Sequence, residues 1–512
     1  MHSEQLVALA LTGAISCSSL AAAPPELTDA DKAALRAAQE AKTGPGGALT
    51  AAAETGNLAK VRELIRAAEG QPYATAAFRL HAGNVLFSLA DFPGALEQHG
   101  LIARDAALAP SARMEILLDL AAERRFPEAC AQFKNVPATS YRSAYLQSVR
   151  ADLLLRCGQP REGLALLLRI FREDHDSAEE GLVSVFGPLR RFKRYRFELE
   201  QRVAAAAPGS RRALGELELC GDFENPWRVK TDYRRSADLF RTGVDADCVG
   251  LAREAVAHTA ELLTSSDDAA RAAKLTAVRS RLDSQAAEPG CEEVVLARHL
   301  LLDDSSQAHL DEQGRWVQLA APRFPKSRIV RELLLESYVR KGQVKEHRAE
   351  FEQATRDFPG DWYPWTQLAL IDAEDESQLP IAIRTAEQGL ARLPDSVPLN
   401  YVLALLRLTR HEYDLALAPA TRLLAGLLET QRYHHDWDIG IAAVRAALDH
   451  KDILTEGPKT QLARAQTMRT VTSLYHPWFQ SKQGCFSSGG RAVAPLQPDY
   501  QPEIVLGSLA RD

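Results

Sequence analysis

Across the first third of this 512-residue chain, the residues Val61, Ala95, Ala129 and Gly163 stand 34 positions apart, and the residues around them keep step. Nine positions before each lie Ala52, Leu86, Leu120 and Leu154; three before lie Leu58, Phe92, Phe126 and Pro160; seven after lie Ala68, Ile102, Val136 and Ile170. These offsets gather the apolar residues on one face of each of two helices per period. The phase residues are small because two helices cross closely there, and enlarging a packed crossing residue costs about 1–3 kcal/mol. Gly56 and Gly158, five positions before their phase residues, fall where the turn between the helices calls for a residue that tolerates positive φ.

The unit AFRLHAGNVLFSLADFPGALEQHGLIARDAALAP, Ala77 to Pro110, places Gly83, Leu86, Phe92, Ala95, Leu96 and Ile102 at the close contact, core and crossing of such a pair. It resembles the tetratricopeptide repeat (TPR) family. From Ser327 the family's pattern returns in Leu334, Tyr338, Gly342, Phe351, Ala354 and Pro359. It continues in Trp365, Leu368, Ala382 and Pro394, and again in Tyr413, Ala416 and Leu417. His347 departs from it, at a crossing that normally holds alanine. AAAETGNLAKVRELI also resembles an ankyrin unit, but its phase with the following repeats favours the TPR reading.

The resemblance implies an all-α fold, a right-handed α-solenoid of TPR-like helix-turn-helix repeats in two arrays joined by a degenerate helical middle. The expected order is a signal or lipoprotein signal over 1–23, a spacer or capping helix over 24–47 and a first array over 48–210. A degenerate region with an insertion follows over 211–290, then a second array over 291–475 and an extended tail over 476–512. The insertion is read from phase. Gly163 and Gln313 are 150 residues apart, 14 more than four repeats, and the helix-breaking Gly221, Asn225 and Pro226 lie between them.

A net charge of −7 and a pI near 6.1 argue against nucleic acid as a partner, which needs a basic surface to displace phosphate counterions. No apolar run in the body is long enough to span a bilayer. The seven cysteines form no CxxC pair, which removes the usual zinc spacing; they read as small hydrophobes buried within repeats in preference to disulfides. Glycine-rich phosphate loops, a GxSxG elbow and HExxH are absent from the sequence. The expectation is a protein that is not an enzyme and that uses no cofactor, catalytic residue or metal. His434, His435, Asp436 and Asp438 in RYHHDWD read as a polar inter-repeat loop in preference to a metal site, because adjacent histidines on a helix point apart.

At the N-terminus, an apolar run from Leu6 to Ile15 precedes small residues and Pro24–Pro25, the order of a secretory signal. Cleavage after Ala21 fits, and Ala14-Ile15-Ser16-Cys17 resembles a bacterial lipobox with Cys17 as the lipid anchor. The leading segment carries Glu4 and no Lys or Arg, which leaves a cytoplasmic location as the alternative to the periplasm or cell envelope. Thr28 to Lys42 reads as a capped helix ended by Gly44, Pro45, Gly46 and Gly47.

The resemblance implies a groove lined by the first helix of each repeat, with Leu80, Asn84, Phe87, Met114, Leu118, Tyr145 and Asp152 projecting into it in the first array. Asn84 matches the asparagine with which chaperone-type clamps hold a carboxylate, but Leu80, Glu115, Tyr145 and Val149 replace the remaining clamp residues. An apolar or mixed protein or peptide segment fits better. Phe87, beside Leu86, is alternatively a core plug. LRRFKRYRF interleaves Arg190, Arg191, Lys193, Arg194 and Arg196 with aromatic rings, either a patch for an anionic partner or a solvated helix edge. The resulting expectation is a protein-interaction scaffold in the bacterial envelope, with a docking or regulatory subunit of an enzyme system as the alternative.

Overall fold

The computed structural model describes residues 44–102, 108–174, 199–206, 210–219 and 233–242, individual positions between 252 and 298, and residues 307–430 and 434–450. The chain forms two compact units, Met1–Phe197 and Glu198–Asp512. Every regular element among the described residues is helical.

In the first unit, helices pair as antiparallel hairpins: α1 (Gly44–Glu54) with α2 (Leu58–Ala68), α3 (Ala76–Ser88) with α4 (Phe92–Leu101), α5 (Ala109–Ala122) with α6 (Phe126–Phe133), and α7 (Ala144–Arg156) with α8 (Pro160–Glu173). The phase residues Val61, Ala95, Ala129 and Gly163 are all buried. At Gly163 the reason is visible, because a Cβ there would lie 2.8 Å from the Ala151 carbonyl oxygen and 2.9 Å from the Leu155 amide nitrogen. No side chain fits between α7 and α8 at that point.

The second unit contains α9 (Ser210–Leu219), α10 (Tyr233–Thr242), α11 (Gln307–Ala320), α12 (Arg328–Arg340), α13 (Arg348–Asp357), α14 (Trp362–Ala373), α15 (Leu379–Arg392), α16 (Val397–Thr409), α17 (Tyr413–Thr430) and α18 (His434–Asp449). From α12 to α17 the hairpins repeat the arrangement of the first unit. Each unit therefore contains a stack of TPR-like helical hairpins among the described residues.

The turns share one backbone device. Gly56, Ala90, Arg124, Gly158, Gly342 and His411 all have positive φ, between 58° and 83°, and each stands five positions before a phase residue. After each of them the next amide reaches back over the turn: Asn57 to Ala52 O, Asp91 to Leu86 O, Arg125 to Leu120 O, Gln159 to Leu154 O, Gln343 to Tyr338 O, and Glu412 to Arg407 O, at 2.8–3.0 Å. This is the Schellman closure of a helix C-terminus. Side-chain caps start α2, where Asn57 accepts from Lys60 N, α4, where Asp91 accepts from Gly94 N, and α7, where Ser143 accepts from Leu146 N.

Three expectations change. Cys130 and Cys157 are disulfide-bonded, with their Cα atoms 5.5 Å apart; stacking carries α6 of one hairpin to the end of α7 in the next, which brings these two cysteines together. Gly44, Pro45, Gly46 and Gly47 form the first turn of α1, where proline is compatible; the helix they were expected to end lies outside the described residues. Gly46 is buried there, and its carbonyl accepts from Thr50 Oγ1 at 3.2 Å. His434 begins α18, so most of RYHHDWD is helical rather than loop. His347 is not at a helix crossing. It stands just ahead of α13 without a side-chain cap bond and stacks on Tyr338, with ring centroids 3.6 Å apart and planes 6° from parallel; a flat ring contact replaces the tight helix contact that alanine permits.

The expected helix at Thr28–Lys42, the cationic patch at 189–197, the insertion residues 221–226 and the tail lie outside the described residues.

Candidate functional site

The first helices of the opening hairpins, α3, α5 and α7, carry the candidate partner-binding residues, and the structure divides them. Leu80 packs with Ile102, Leu108 and Ala112 in the joint between two repeats. Phe87 is buried edge-on to Phe92, at 5.3 Å between ring centroids. Met114 and Leu118 are also buried. Asp152 is fully buried and paired with Arg156 Nε at 2.6 Å, while that guanidinium lies 4.2 Å from the centroid of Phe126. These five side chains do not face a groove: the apolar ones gain more from the inter-repeat joint than from solvent, and the carboxylate is held by its cation. Asn84 is exposed and Tyr145 is half-buried. They are the two candidates that a partner can reach.

Asn84 belongs to a three-helix strap. His99, on α4 and fully buried, is hydrogen-bonded through Nδ1 to Asp119 Oδ2 on α5 at 2.7 Å and through Nε2 to Asn84 Oδ1 on α3 at 3.1 Å. Oxygen acceptors at both ring nitrogens favour the protonated ring. Burial works against that charge, but the hydrogen bond and charge of Asp119 outweigh it and raise the affinity of His99 for its proton. With Oδ1 engaged inward, the Asn84 amide offers its NH2 group to a partner. Gly83 makes room for the ring; a Cβ there would lie 2.2 Å from His99 Nε2.

The second unit holds an ionic ladder that sequence reasoning missed. Along α12, Arg328, Glu332, Glu336 and Arg340 recur every four residues and share one face. Arg328 bonds Glu332 through Nε at 2.8 Å and Asp361 through Nη2 at 3.1 Å; Arg340 Nε bonds Glu336 at 2.7 Å. The Tyr363 hydroxyl donates to Glu336 Oε2 at 2.7 Å, joining α14 to the ladder. Asp361 also caps α14 by accepting from Tyr363 N at 3.1 Å. Burial, opposed by Arg328 and assisted by Glu332, pushes the Asp361 carboxyl up to about 7. The four-residue spacing of Arg328, Glu332, Glu336 and Arg340 was the available signal.

Among the described residues, no group of His, Cys, Asp or Glu side chains could hold a metal ion. No described helix is long and apolar enough to cross a membrane.

No known family profile matches the chain, and no curated protein matches it in sequence. Among solved structures, 99% of the chain aligns with 96% of a chain in the crystal structure of the APC/C hetero-tetramer Cut9-Hcn1, at 13% identity and a TM-score of 0.31. A second alignment covers 94% of this chain and 85% of a chain in the structure of Naa15/Naa10 bound to HypK-THB, at 13% identity and a TM-score of 0.26. The TPR-like architecture is carried by the chain's own hairpins, turns and crossings.

Proposed function

We propose that this protein is a non-enzymatic interaction scaffold of the bacterial cell envelope, holding a segment of a protein partner on the first-helix surface of its opening array. The observation that carries this reading is the pairing of Asn84 and Tyr145 on a preformed stack. One is an exposed amide held by the buried His99, and the other is a half-buried aromatic ring on a capped helix. Rigid elements that present polar and aromatic groups bind with little ordering cost, and large aromatics often dominate binding energy.

The envelope location is supported by the apolar run Leu6–Ile15 followed by small residues, and by the Cys130–Cys157 disulfide, a bond that persists in oxidising compartments. A mature N-terminus near Ala22, or a lipid on Cys17, is the expected outcome of analysing protein from cells. Intact Met1 on cytosolic protein would overturn the location.

The binding test is a photo-crosslinking experiment in the native cell, comparing the wild-type chain with Tyr145→Ala. Partner capture should fall by an order of magnitude with thermal unfolding almost unchanged. Undiminished capture removes this surface from consideration.

A further inference from the structure

The three joints between the hairpins of the first unit are built differently. At the first, α3 packs on both α1 and α2. Thr50 Oγ1 and the Gly46 carbonyl meet His81 Nε2 at 3.1 and 3.2 Å, and Arg62 Nε donates to Asp91 Oδ2 at 2.8 Å. At the second, α5 packs on both α3 and α4. There Leu80, Ile102, Leu108 and Ala112 form an apolar cluster, and His99 meets Asp119.

The third joint is thinner, because α7 packs closely on α6 but not on α5. α6 has eight residues, and Ala129 is the only one of them that is buried. The connection across this joint runs over ten residues, 134–143, where the other two joints use seven, 69–75 and 102–108. Within it Tyr141 is buried edge-on to Phe133, at 6.2 Å between ring centroids, and its hydroxyl finds no hydrogen-bond partner among the described residues. A polar group that gives up water without a replacement weakens the packing around it. From helix to helix the joint is held by the Arg156 guanidinium over Phe126 and by the Cys130–Cys157 bond, which runs from the middle of α6 to the end of α7.

We infer that the Cys130–Cys157 disulfide is a redox-operated clasp, and that a dithiol reductant opening it frees the hairpin α7–α8 from the three hairpins before it. Both cysteines are half-buried, within reach of an attacking thiolate. A thiolate of the reductant bonds to the sulfur of one cysteine, and the other cysteine leaves as a thiolate and takes up a proton. The reductant's second thiolate then bonds to its own first sulfur, and the remaining cysteine leaves and is protonated. Two electrons and two protons pass to the protein, and the reductant departs as a disulfide. With the covalent tie gone, a cation–ring contact and the 134–143 connection hold a joint that elsewhere takes an apolar cluster or polar bridges from two helices. Asn84 on α3 and Tyr145 on α7 stand on opposite sides of it, so the binding surface proposed above is assembled while the bond is closed; that consequence rests on the proposal, and the clasp does not.

The test uses the full oxidised chain, treated with dithiothreitol under native conditions. Alkylation should find Cys130 and Cys157 as free thiols while the second unit keeps its amide protection, and hydrogen exchange should rise in α7 and α8 at least tenfold more than in α1 to α4. Cys130→Ser combined with Cys157→Ser should show the same pattern without reductant and no further rise with it, which separates this bond from the remaining cysteines. Equal acceleration across α1 to α8, unchanged exchange in α7 and α8, or a bond that resists dithiothreitol until the first unit unfolds would overturn the clasp. If the double variant fails to fold, reduction of the wild-type chain decides alone. Partner capture undiminished by reduction, with α7 and α8 released, would sustain the clasp and overturn the joint role of Asn84 and Tyr145.

Discussion

A methyl group added to Gly83 would stand 2.2 Å from Nε2 of His99, so the buried His99 ring of the first array has room because one residue of α3 has no side chain. Gly83→Ala must displace the ring from Asn84 or separate the helices, and overpacking of this kind costs about 1–3 kcal/mol. Chemical unfolding followed in the first unit should show that loss, although alanine is intrinsically the better helix former.

The same ring makes the first array sensitive to pH. Its proton affinity is raised in the folded chain, so its contribution to stability is complete below the unfolded value of about 6.5 and is lost as pH rises through the folded value. Asp119→Asn should remove most of that loss. Unfolding free energies at pH 6 and pH 9 should converge in the variant and differ in the wild type.

Three repeat turns place a side chain where glycine is at ease. Ala90, Arg124 and His411 have φ of 60°, 62° and 58°, a region that costs a non-glycine residue about 1 kcal/mol or more. Ala90→Gly and Arg124→Gly should each stabilise the first unit by about 0.5–1 kcal/mol. Ala129→Gly, inside α6 and at a crossing, should destabilise it, and the opposite signs are read from denaturation midpoints.

Asp361 acts in the reverse sense from an ordinary surface carboxylate. Its folded value is raised to about 7 by burial, so the folded chain holds the proton more tightly than the unfolded chain. Its contribution favours folding at low pH and is lost as pH rises from about 4 to 7. Asp361→Asn, which keeps the cap on Tyr363 N, should flatten the pH dependence of second-unit stability in that window. An unaltered slope would place the proton elsewhere in the ladder.

The hairpin plan was legible because each repeat solves the same crossing problem with the same residue sizes, and Val61, Ala95, Ala129 and Gly163 repeat at a fixed interval. Gly56 and Gly158 announced their turns, whereas Ala90, Arg124 and His411 reach the same conformation without a glycine to mark it. The site was harder to read. Helical spacing places Leu80 and Phe87 on the first-helix side but does not say that the neighbouring repeat reaches over them. Spacing also gives no partner for a cysteine, and only the stacking of α6 against α7 brings Cys130 to Cys157. The ladder on α12 was written in the four-residue interval of its charges, which is equally the interval of an ordinary solvated face.

The disulfide joins residues 27 positions apart, and a closed loop of that length stabilises by about 3.5 kcal/mol through the unfolded chain. Reduction, or Cys130→Ser with Cys157→Ser, should lower first-unit stability by about 2–4 kcal/mol and leave the second unit unchanged, as read by hydrogen exchange in each.

Under tension, a solenoid extended from its ends gives way hairpin by hairpin, releasing slack as each one opens. The Cys130–Cys157 bond ties the second helix of one hairpin to the first helix of the next, and the 26 residues between the two sulfurs can never be drawn out while it holds. Roughly 90 Å of contour is thereby withheld in the middle of the first array, and two adjacent hairpins yield to a pull as one shortened block.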